Sequence, residues 1–105
     1  MKSTVIVQFI MQENNIDELF SFEESLMKGI EQSKTGILDG NDIGKETYNI
    51  YILPKGSYGP CVENIKMWLK AKKLTSKALI AHTTASGNII VDYPEGYQGT
   101  FSYGI

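Results

Sequence analysis

The sequence predicts an α+β protein with the element order β-α-β-β-α-β, on three observations: a hairpin signal from Thr35 to Leu53, a helix-period apolar stripe on each side of it, and strand-like runs nearer the two ends. Ile37 and Leu38 on one side and Tyr48, Ile50 and Ile52 on the other bracket Asp39-Gly40-Asn41-Asp42-Ile43-Gly44. Such residues accept positive φ or bond their own backbone, so this cluster is expected to be the connection between two strands. A length of 105 residues is that of one domain. The expectation is therefore a single domain over 1–105, a four-stranded antiparallel sheet with two helices on one face and an added C-terminal strand or arm.

The elements follow in order. Thr4 to Met11 is β-branched and aromatic, with Val5, Val7, Phe9 and Met11 on one face. Ile6 and Ile10 load the other face as well, which asks for a second cover and is the first hint of a homodimer. Asn15 with Glu18 resembles a capping box, so a helix starts near Ile16, and Ile16, Leu19, Phe20, Leu26, Met27 and Ile30 form its stripe. Ser33 to Gly36 ends it. After the hairpin, turn formers from Pro54 to Gly59 lead to Pro60 at a second helix start, and Cys61, Ile65, Trp68 and Leu69 mark its buried side. Lys77 to His82 and Gly87 to Val91 read as two further strands, with Ala85-Ser86-Gly87 as their turn. The tail from Pro94 carries Tyr97, Phe101 and Tyr103 among glycines, a composition suited to lying across a surface, and these three are the candidate interaction residues.

Charge narrows the function classes. All ten basic residues are lysine, and the sequence pI is about 5.3. Arginine grips phosphate and guanine edges bidentately, so its absence argues against nucleic-acid binding. Charge is also polarised along the chain: residues 1–53 hold nine acids and four lysines, and residues 54–105 three acids and six lysines. The apolar run after Thr4 is too short for a membrane span and lacks a small-residue cleavage site, and the one cysteine has no internal partner, so a cytoplasmic location is expected.

Few residues carry chemistry. Gly40 to Lys45 misses a phosphate-binding loop by one residue of glycine spacing and has acids beside it, and the oxygen ligands of a calcium loop are not at their positions. Cys61 stands at a helix start, where backbone N–H groups lower a thiol pKa, yet its stripe position also makes it a buried small hydrophobe. His82 is the only imidazole, so any acid-base step centred on one must use it. His82 and Cys61 are thus the candidate catalytic residues, and one of each gives no metal spacing and implies no cofactor.

The stretch Leu38-Asp39-Gly40-Asn41-Asp42-Ile43-Gly44, followed by the apolar strand Tyr48 to Leu53 and an amphipathic helix, resembles a group of small bacterial proteins of unassigned function with a ferredoxin-like fold, in which an FDGxxxG-like turn precedes such a strand. Leu38 replaces the common aromatic, and Lys45-Glu46 the common glycine. Proteins similar in size and layout occur among the immunity proteins of bacterial toxin systems. The resemblance implies a non-enzymatic protein-interaction module with a partner protein such as a toxin. The alternative is a small enzyme or ligand binder built on His82 and Cys61.

Overall fold

The computed structural model describes residues 3–11, 16–44, 46–99 and 101, and the expected cap at Asn15 and the tail residue Tyr103 lie outside them. Strand β1 (Val5–Ile10) leads to helix α1 (Ile16–Ser33), then the hairpin β2 (Gly36–Ile43) and β3 (Thr47–Pro54), helix α2 (Tyr58–Ala71), a 3-10 turn (Thr75–Lys77) and the hairpin β4 (Ala78–Thr83) and β5 (Ile89–Tyr93). The α+β class, the antiparallel sheet and the two helices are as expected. The sheet is not the bare four strands of a ferredoxin-like sandwich: an added C-terminal strand is present as β5, and the five lie in the order β2-β3-β1-β4-β5. The physical reason is local. Thr84 N–H donates to the Asn88 carbonyl (2.8 Å) and Gly87 N–H to the Thr84 carbonyl (3.0 Å), a tight turn that lays Ile89–Tyr93 back along the free side of β4.

β1 is central and antiparallel to both neighbours, with Val5 opposite Ile52 on β3 and opposite His82 on β4. Val5, Val7 and Phe9 face the helices and form one apolar cluster with Leu19, Phe22, Leu26 and Ile30 of α1 and Cys61, Ile65 and Leu69 of α2. The stripe of α1 is rotated slightly from the expected one: Phe22 is buried against Phe9, with ring centroids 5.5 Å apart, whereas Ile16 and Phe20 are exposed. The helices meet closely at Gly29, where a Cβ would stand 2.0 Å from Trp68 Nε1. No residue larger than glycine fits there without moving the indole.

The central hairpin departs from expectation in an instructive way. Asp39-Gly40 is not the turn: β2 runs on to Ile43, and Asp39 is the extra residue of a β-bulge between the pairs Leu38/Ile52 and Gly40/Tyr51. Gly40 takes φ 141°, a conformation open to glycine and costly for any other residue, so the positive-φ signal in the sequence marks the bulge. The chain reverses beyond it, where Gly44 N–H donates to the Thr47 carbonyl at 2.9 Å.

Candidate functional site

His82 stands on the helix side of β4, opposite Val5, and is 3% exposed. Its partner is a residue that sequence reasoning missed. β4 and β5 are in register at Ala81/Val91 and again at Ile80/Tyr93, which leaves Asp92 as a bulge residue turned toward His82. His82 Nδ1–H donates to Asp92 Oδ2 at 2.7 Å, and the ring stacks under Tyr58 at the start of α2, with centroids 3.7 Å apart and planes 17° from parallel. The hydrogen bond to Nδ1 fixes the orientation of the ring. The arrangement ties β4, β5 and α2 together.

Cys61 is fully buried, and burial pushes its thiol up to about 11. The helix start does not activate it. Its Sγ lies over β2, 3.4 Å from where a Cβ on Gly36 would stand, and β2 is separated by β3 and β1 from the strand β4 that carries His82. The structure therefore does not assemble a Cys-His pair. Among the described residues no group of three or more His, Cys, Asp or Glu could hold a metal ion.

The face away from the helices carries a polar chain. Gln8 Nε2 donates to Asn49 Oδ1 (2.9 Å), Asn49 Nδ2 to Asp42 Oδ1 (2.9 Å), and Tyr51 OH to Asp42 Oδ2 (2.7 Å), which stitches β1, β3 and β2 across the sheet. Asn49 is fully buried and Gln8 nearly so. The signal was available as two amides inside otherwise apolar strands, whose burial requires partners. On the other side of the sheet Glu23 of α1 accepts from Asn41 Nδ2 at 2.9 Å and from Tyr48 OH at 2.5 Å. Burial first, then that hydrogen bond and the Glu23 charge, push the Tyr48 phenol above its usual range.

Ile6 and Ala81 reach zero exposure on the face away from the helices within one chain. Beside them, Pro94 and Tyr97 of the tail line a cavity of about 380 Å³ with Gln8, Ile10, Leu79 and Tyr93. Tyr97 and Phe101 are half-buried. Ile6 therefore does not need a second chain to hide it.

The outer edge of β5 is different. Ile89 is 37% and Ile90 48% exposed, and among the described residues β5 is the end strand of the sheet. The hydrogen-bonded pair Thr84/Asn88 at the turn fixes the alternation: two residues on, His82/Ile90 is again a bonded pair, so Ile90 directs its backbone groups to β4, whereas Ile89 and Val91 direct theirs outward. Among the described residues no helix is long and apolar enough to cross a membrane. Comparison with family models, with curated proteins and with solved structures finds no match for this chain.

Proposed function

We propose that this chain is a non-enzymatic protein-interaction module, a ferredoxin-like unit extended by one strand, that takes its partner on the edge of β5. The observation that supports this most is the edge itself: apolar side chains at Ile89 and Ile90, outward backbone groups at Ile89 and Val91, and an acid, Asp92, held by His82. Strand addition to such an edge supplies affinity through main-chain hydrogen bonds. The immunity-type layout makes a toxin one class of partner. The chemical alternative loses support because Cys61 is buried away from His82, and His82 lies closed beneath Tyr58.

A photo-crosslinking side chain at Ile90, used in the source cell, tests this. It is expected to give protein adducts that the same group at Ile37, equally exposed on the β2 edge, does not give. Adducts at neither position, or at both alike, would overturn the assignment to β5.

A second reading, binding of a small ligand, is favoured by the cavity under Tyr97, whose volume lies within the usual range for ligand sites. Its expected signature is a set of ligand-induced NMR shifts at Leu79, Tyr93 and Tyr97 that leave Ile90 unmoved.

A further inference from the structure

We infer that the partner of β5 is a second copy of this chain, paired antiparallel about a two-fold axis through Ile90. This rests on the reading of β5 as the contact strand and adds the identity of the occupant.

A strand edge pairs with itself only if its outward groups sit symmetrically about one residue, and β5 meets that condition. Ile89 and Val91 flank Ile90 and both point their N–H and C=O groups away from β4. With Ile90 on the axis, Ile89 of each copy meets Val91 of the other as a hydrogen-bonded pair. Each such pair exchanges two bonds, and the axis generates both pairs at once. Ile90 then faces its own copy as a pair without backbone bonds, the arrangement that brings side chains closest. An exposed isoleucine gains most there.

Charge permits the approach. Like charges facing each other across a ladder destabilise it, and Ile89-Ile90-Val91 has none. The nearest acid, Asp92, is turned by the bulge onto His82 and so does not face outward. The opposite edge fails on both counts: β2 is interrupted at Asp39, its acid is exposed, and Asn41 is tied to Glu23. Heterologous pairing of β5 with β2 would put Ile89-Ile90-Val91 against a strand broken at Asp39. Self-pairing of β5 closes a dimer and leaves the guarded edges outermost.

Sedimentation of the full chain over a wide concentration range, with hydrogen exchange at low and high concentration, is the test. The expected result is a reversible dimer in which the amides of Ile89 and Val91 become protected as it forms, while that of Ile90 is protected at every concentration. Two variants sharpen this. Val91→Pro removes an outward N–H and leaves the bonds to β4 in place, since proline is tolerated on an edge strand at such a position, so it is expected to fold and to be monomeric. Ile90→Lys sets two like charges on the axis and is expected to weaken the dimer about tenfold or more. A dimer that survives both variants, or one without protection at Ile89 and Val91, overturns the inference. So does a full-length chain that stays monomeric throughout. If the crosslinker at Ile90 then captures a different protein in the cell, the assignment of β5 as contact strand stands and only the second copy is lost.

Discussion

The two edges of the sheet solve the same problem with the same residue and reach opposite ends. Each of β2 and β5 carries a bulge, and in each the extra residue is an aspartate, Asp39 or Asp92. On β2 the aspartate is left in solvent and glycine follows it, so the strand is bent and charged where another strand would have to pair. On β5 the aspartate is turned inward onto His82, which fixes the strand from behind and leaves Ile89 and Ile90 exposed beside an uncharged edge. A bulge aims whatever side chain it carries. Whether the edge is guarded or opened depends on which way that side chain goes.

The largest expected effect follows from the inward acid. Asp92→Ala leaves His82 Nδ1–H buried without its acceptor, and an orphaned buried donor costs about 1–3 kcal/mol. Urea unfolding is expected to show a lower midpoint at unchanged slope. A shift no larger than that of an ordinary surface substitution would mean that the pair does not hold β5 in place.

Alkali should separate the two halves of the sheet in the other direction. The Cys61 thiol, packed against β2, titrates at about 11 in the folded chain and near 9 when unfolded, so the unfolded form releases its proton first as pH rises. The sign follows: the contribution is complete below about pH 9 and is lost progressively towards pH 11. Tyr48, whose phenol links β3 to α1 through Glu23, is raised for the same reason and acts in the same direction at still higher pH. Amide protection is expected to fail first on β2 and β3, with β5 following. Loss from β5 first, or a flat stability profile across this window, would contradict it.

The same thiol gives a smaller and more local readout. Because Cys61 is fully buried, a thiol reagent is expected to label it slowly in the native protein and fast once it is unfolded. Val91→Pro acts on the far edge and should leave that native rate unchanged. Faster labelling in this variant would show that β5 supports the whole fold and that the two edges are not independent.

How much of this the sequence displayed can be traced to individual residues. Both hairpins, both helices and the class of fold follow from periodicity, because apolar side chains at intervals of two or three to four have one cheap arrangement. The glycine at position 40 was legible as a positive-φ position, yet a turn and a bulge make the same local demand, and only the partner strand decides between them. His82 stood out as the single imidazole. Asp92 did not, since ten residues separate the pair and a strand without a bulge would place Asp92 elsewhere. Edge status was also hidden: Ile89-Ile90-Val91 reads as a core strand, and its exposure follows from the position of β5 at the end of the order.

The smallest effect tests what guards the β2 edge. Asp39 is exposed and makes no ladder pair, so Asp39→Val should change stability by no more than about 0.5 kcal/mol. It removes the charge from the edge and adds a β-branched apolar side chain, but it leaves the bulge and the φ of Gly40 as they are. If backbone geometry is the guard, the variant should sediment as the parent does, because an incoming strand would still find its hydrogen-bonding partners displaced on either side of position 39. If charge is the guard, β2 becomes a second adhesive edge. Two edges per chain, each pairing with its own kind, build an open row and not a closed dimer, so larger species would appear at high concentration. The parent's sedimentation pattern in Asp39→Val is the outcome expected here, since the bulge alone breaks the ladder.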